Sequence, residues 1–233
     1  MKSRKSDIPP GVTEVEIQEY NQKFGQSGGL IYFRVVECIL DGQVVGQCAY
    51  DGEGNLRVET PIKNGKKHGP EYIWNETGSL ESVEPFFEGK RHGLAKQYGR
   101  NGKVIGTYRF VHGTGYDIWR WEQGDGSIFI SEVFSVRDGK LEGYEWWLNE
   151  DQRSVWHERH WHAGSVHGIE RMWNKEGRLK RGYPKYWVQA QAVRKRTYLK
   201  AAEKDKTLPK YHQMENRPRR KFPTEIEKLL AKE

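Results

Sequence analysis

"NGKKHGPEYIWNETGSL", residues 64–80, and "EGKRHGLAKQYGRNGKV", residues 88–104, are nearly the same phrase written twice. Each opens on a turn-forming pair, Asn64-Gly65 or Glu88-Gly89, and reaches a second glycine at Gly69 or Gly93. A short run ending in an aromatic residue follows, and then another glycine-bearing turn. Pairs of the Asn-Gly and Asp-Gly kind supply the positive φ angles that tight hairpins need. Each copy therefore reads as two short antiparallel strands with a turn at either end.

The opening motif recurs along the chain as "DGQVVG" (41–46), "NGKKHG" (64–69), "EGKRHG" (88–93), a shortened "VHGTG" (111–115), "DGKLEG" (138–143) and "AGSVHG" (163–168). Closing glycines fall 22 to 28 residues apart, a spacing typical of repeat arrays. Tyr50, Trp74, Tyr98, Trp119, Trp147 and Trp173 hold the aromatic position. One hairpin alone is marginal in water, whereas stacked hairpins bury their rings against neighbours. The expectation is an all-β chain: an elongated antiparallel β-meander of about six hairpin repeats, with a mixed helical and extended C-terminal region. Residues 1–40 read as an N-terminal segment with one or two capping strands and a turn at "SGG" (27–29). Residues 41–183 read as the array, and 184–233 as a basic C-terminal region.

Composition agrees with a thin, ring-rich sheet. Hydrophobic residues are 35% of the 233, low for a layered core, yet there are nine Trp, twelve Tyr, eight Phe and 26 Gly. Aromatic rings bury a large area each. No run of 18 or more apolar residues is present, and no apolar stretch follows the basic N-terminus. The expectation is a soluble, cytoplasmic protein with neither a membrane span nor a secretory signal. Cys38 and Cys48 flank the Asp41-Gly42 turn. A two-residue hairpin there sets Leu40 against Gln43 and Cys38 against Val45, which predicts two free thiols in a reducing compartment.

The unit Gly-Lys-x-His-Gly, then an aromatic and a second glycine, resembles the MORN-repeat variant of bacterial proteins labelled YwqK-like antitoxins. The match covers residues 41–183 and is closest at "NGKKHG", "EGKRHG" and "AGSVHG"; "VHGTG" is shortened, and Glu142 stands where His is usual. The resemblance implies an antitoxin-like, protein-binding role.

Past Gly182 the glycine rhythm stops. Residues 188–204 are rich in helix formers, with Val188, Ala192, Leu199 and Ala202 able to line one side. Three prolines follow, and "TEIEKLL" from Thr224 reads as a short final helix. From Lys180 onward there are 16 Lys/Arg against 6 Asp/Glu, while residues 1–179 carry 23 against 26. The net charge of +7 belongs to the tail.

Candidate sites follow from these patterns. Trp74, Tyr98, Trp147 and Trp173 are the expected partner-binding row. Arg194, Lys195, Arg196, Arg219, Arg220 and Lys221 are the cations able to meet a polyanion. "HERHWH" (157–162) sets His160 and His162 on one strand face and His157 on the other, a pair without a third metal ligand. His68, His92 and His167 recur just before a closing glycine, which points to bonding of the turn backbone or stacking on the next repeat. Nucleophile-elbow, P-loop, dinucleotide and HExxH patterns are absent. The reading is a non-enzymatic interaction module that presents a sheet face to a protein partner, with no metal and no cofactor. A nucleic-acid-associated protein acting through residues 194–221 is the alternative. Acidic lipids, linked to MORN repeats elsewhere, would have to meet the tail, because the body is acidic.

Overall fold

A computed structural model describes residues 6–24 and 29–231; the turn expected at 27–29 lies largely outside them. The chain divides into two compact units, Met1–His112 and Gly113–Glu233. The first holds β1 (Thr13–Phe24), β2 (Gly29–Leu40), β3 (Gln43–Tyr50), β4 (Leu56–Lys63), β5 (Lys66–Lys67), β6 (Gly69–Trp74), β7 (Leu80–Phe87), β8 (Lys90–Arg91), β9 (Gly93–Tyr98) and β10 (Val104–Val111). The second holds β11 (Thr114–Glu122), β12 (Ile128–Arg137), β13 (Lys140–Leu148), β14 (Val155–His162), β15 (Ser165–Val166), β16 (Gly168–Met172), β17 (Lys185–Val188) and β18 (Gln191–Val193). Helix α1 (Lys195–Lys204), a 3-10 turn (Gln213–Asn216) and helix α2 (Thr224–Leu230) complete it. Within each unit, strands pair antiparallel with their sequence neighbours. The fold is an all-β antiparallel meander.

The opening motif is a hairpin turn followed by a bulge. Asn64 and Gly65 sit at φ 53° and 70°, Glu88 and Gly89 at 50° and 82°, and Asp138 and Gly139 at 52° and 79°. Positive φ at both central residues is the turn whose twist matches that of the strands. Turns from Glu88-Gly89 onward bond to the repeat before them. The second turn residue donates its N–H to a carbonyl there: Gly89 to Lys67 (2.9 Å), Gly139 to Gly113 (2.8 Å) and Gly164 to Leu141 (2.9 Å). The first donates to a side chain just ahead of the preceding closing glycine. His112 N–H meets His92 Nδ1 at 3.1 Å, Asp138 N–H meets Thr114 Oγ1 at 3.2 Å, and Ala163 N–H meets Glu142 Oε2 at 2.7 Å. The recurring histidine is thus a turn acceptor, and Glu142 and Thr114 perform the same task with oxygen. His68 differs: its Nδ1 lies 3.8 Å from the Glu88 carboxylate.

The same bonding corrects the expected helix over 188–204. Gln189 and Ala190 take φ 48° and 62° and form a further hairpin turn between β17 and β18. Gln189 donates to His167 Nδ1 at 2.9 Å and Ala190 to the Val166 carbonyl at 2.9 Å. Two hydrogen bonds to a preformed edge outweigh a helix propensity of a few tenths of a kcal/mol per residue. Val188 and Ala192 are therefore strand residues, and the helix begins at Lys195.

Near the N-terminus, a bulge between Cys38 and Ile39 slips the expected register by one. Cys38 faces Gly46 instead of Val45, and Val36 faces Cys48. The free thiols approach to 3.7 Å in a cluster with Val36, partly covered by Ile8, Val12 and Tyr50. Residues 6–8 are tied down here: Ser6 Oγ donates to Glu59 (2.8 Å), and Tyr72 OH donates to Asp7 (2.8 Å).

Gly168 shows why the closing position is glycine. Its φ is +147°, and a Cβ there would lie 2.7 Å from His160 Cβ. Gly182, at φ +86°, has open space around it. Gly168→Ala is expected to cost about 3 kcal/mol or more, combining backbone strain with overpacking. Gly182→Ala should cost about 1–2 kcal/mol, from the left-handed backbone alone. Urea unfolding of the two variants measures both, and equal costs would contradict the packing argument.

Candidate interaction surface

Strand alternation gives each unit two faces, and in the second unit they differ chemically. Directly opposite residues in antiparallel strands share a face. Trp119 pairs with Glu132, Glu132 with Trp147, Trp147 with His157 and His157 with Met172. Beside that line run Asp117, Phe134, Glu145 and Arg159, each paired with the next. Further along, Trp161 stands opposite Gly143 and Trp187 opposite Gly168. The Cβ that these glycines lack would meet other side chains, Ser135 at Gly143 and His160 at Gly168.

Carboxylates on this face order the rings. Glu145 accepts the indole N–H of Trp147 (2.8 Å) and of Trp161 (2.6 Å). Glu170 accepts from Trp187 (2.9 Å) and Arg159 (2.9 Å), and lies 3.2 Å from His157 Nε2. Burial pushes the Glu170 carboxyl up, but the hydrogen bonds of His157 and Arg159, together with the Arg159 charge, bring it down to about 2. Glu132 moves the other way: burial raises it, and the charges of Glu145 and Asp117 add to the rise. Trp119, Trp147, Trp156, Trp161 and Trp187 remain half-buried, and Trp121 is 57% exposed.

The opposite face is sealed by the chain's own C-terminal segment. Ile118, Val133, Trp146, Glu158 and Arg171 pair across it and are all buried. Phe222 meets the Trp146 ring edge-on at 5.4 Å. Arg171 bonds Glu158 (2.8 Å) and Glu215 (2.9 Å), and Arg220 adds a second guanidinium to Glu158 (2.9 Å) while lying over Trp173. Burial would lift the Glu158 carboxyl; the Arg220 and Arg171 contacts hold it below the usual range. Backbone bonds from Val155 to Pro218 and from Arg220 to Arg153 fasten residues 218–220 alongside β14.

The expected site residues divide accordingly. Trp173 is 2% exposed, donates its indole N–H to the Asn216 carbonyl at 2.7 Å, and belongs to the sealed face. Trp74 is 8% exposed and stacks on Tyr72; Tyr98 is half-buried in the first unit. In the second unit Trp147 lies on the open face and Trp173 on the sealed one, so these two do not share a row. The reason is spacing: the aromatic stands five residues after the closing glycine in Trp74, Tyr98 and Trp173, but four after it in Trp147. One residue of slip reverses the face. Arg220 is built into the seal. Arg194, Arg196, Arg219 and Lys221 are exposed, and Lys195 lies over the Tyr211 ring at 3.8 Å.

"HERHWH" divides as alternation requires. His157 faces Glu170, whereas His160 donates its Nδ1–H to the His167 carbonyl at 2.6 Å, and His162 meets Glu142 at 2.9 Å. No set of three or more His, Cys, Asp or Glu among the described residues is arranged to hold a metal ion. Sequence reasoning missed Glu132, Glu145, Glu170, Trp161 and Trp187. A signal for two of these acids was present: Glu145 and Glu170, like Glu71 and Asp117, stand two residues after a closing glycine. No family model, curated protein or solved structure matches this chain.

Two measurements test this geometry. Arg220→Ala leaves Glu158 buried with one cation fewer and should cost about 3–5 kcal/mol, as broken buried pairs do; Arg219→Ala, exposed, should stay within about 0.5 kcal/mol. Glu170 titrates lower in the folded chain than its ordinary value of 4.5. Its stabilising contribution is therefore complete above that value and lost as pH falls toward 2. Acid unfolding followed by tryptophan fluorescence should be shallower for Glu170→Gln than for the wild type, from a lower starting stability.

Proposed function

We propose that the chain is a non-enzymatic protein-interaction module, and that the open face of its second unit is the surface offered to a protein partner. The observation that carries this reading is the asymmetry of the two faces. One is closed by the chain's own residues 215–222, and the other keeps a set of half-buried indoles pinned by carboxylates. Tryptophan is enriched where proteins bind one another, because a ring of fixed orientation buries much area at little entropic cost. The antitoxin-like role implied by the MORN-variant resemblance is one form of such binding.

Nucleic-acid association through residues 194–221 is the second reading. It is favoured by the exposed Arg194, Arg196, Arg219 and Lys221, and weakened by the use of Arg220 within the seal. A photo-crosslinking residue placed at Trp121 on β11, and separately at Leu199 on α1, tests the two in the native host. A defined protein adduct from position 121 and none from 199 is expected. Adducts from position 199 alone, with co-purifying nucleic acid, would overturn the first reading.

A further inference from the structure

Glu132 differs from the other acids of the open face. Glu145 and Glu170 are engaged by indole N–H groups, and Glu170 also by a guanidinium. The directly opposite neighbours of Glu132 are both indoles, Trp119 on β11 and Trp147 on β13, and all three side chains are half-buried. Such neighbours stand roughly 5 Å away, Cβ to Cβ. A carboxylate there gains no charge compensation from them. Burial and the negative charges of Glu145 and Asp117 consequently hold its carboxyl above the usual range.

That arrangement is repulsive for an anion and attractive for a cation. Ring faces attract ammonium and guanidinium groups, most strongly where water is excluded. Donation of the Trp147 N–H to Glu145 pushes further electron density into that ring. Glu145 is the diagonal neighbour of Glu132 across the β12–β13 pair, roughly 7 Å away. Glu145 itself is buried and stands opposite Arg159, so it adds negative charge near Glu132 without being a seat.

We infer that the open face receives a Lys- or Arg-bearing segment of a partner protein, with one cationic head seated at Glu132 between Trp119 and Trp147. This deepens the interaction reading above and rests on it.

The test uses the full chain and a fluorescein-labelled peptide of alternating Lys and Ser, with alternating Glu and Ser as control, at about 50 mM salt, where exposed charges are weakly screened. The Lys peptide should bind and the Glu peptide should not. Glu132→Gln should weaken binding about tenfold, the scale of one charge-assisted hydrogen bond, while its melting temperature holds or rises because a repulsive charge has gone. Glu203→Gln, on the exposed side of α1, should bind as the wild type does. Absence of Lys-peptide binding to the wild type, equal binding to Glu132→Gln, or equal weakening by Glu203→Gln would overturn the proposal. So would self-association in sedimentation that Glu132→Gln abolishes, which would make the basic tail of a second copy the occupant. A partner crosslinked at position 121 through a segment lacking Lys and Arg would overturn this inference and leave the protein-interaction reading standing.

Discussion

The structure depends on the hydrogen bonds that join one hairpin turn to the next. A turn with positive φ at both central residues leaves two backbone N–H groups pointing along the repeat axis, away from its own strands. The repeats at 111–115, 138–143 and 163–168 each supply two acceptors at the matching height: a carbonyl beside the bulge and a side chain just ahead of the closing glycine. The carbonyls of Lys67, Gly113, Leu141 and Val166 and the side chains of His92, Thr114, Glu142 and His167 occupy these places. Because both donors are satisfied by the preceding repeat, register passes from turn to turn. A thin sheet needs that constraint.

The closing glycine serves the same edge. It lets the strand bulge, and in the second unit Trp161 and Trp187 are the residues paired opposite it. Carboxylates two residues further on then accept the indole N–H groups. Aromatic area, backbone geometry and buried charge are thus linked within a few residues of each turn. Buried acids are costly unless bonded, and here the bonding groups are the rings themselves, so removing either partner leaves the other exposed to that cost.

On the sealed face, charge is used differently. Glu158 sits between Arg171 and Arg220, which arrive from β16 and from the C-terminal segment. A buried pair of this kind adds little net stability compared with an apolar substitute, yet breaking it is expensive. Its effect is to specify where residues 215–222 lie. The basic tail is therefore partly a structural element, and only some of its cations face solvent. Sealing one face leaves the other as the place where half-buried tryptophans meet solvent.

Repeat, turn positions and all-β class were legible from the sequence, because glycine and turn-pair chemistry is local and a period of 22 to 28 residues is visible in one dimension. The structural role of His92 and His167 was also legible, since one residue type at one position of a repeat points to a repeated contact. The face on which each ring lies was not. Trp147 and Trp173 occupy equivalent places in a linear alignment, but one residue of offset from the closing glycine sends them to opposite sides, and side-chain direction inverts with each step along a strand. The turn at Gln189-Ala190 was hidden for another reason. Its own residues favour a helix, and its conformation comes from His167 and Val166, more than twenty residues earlier. Local chemistry determined which elements exist; contacts across the sheet decided which side chains are sealed and which are offered, because burial depends on neighbours that the chain brings back from a distance.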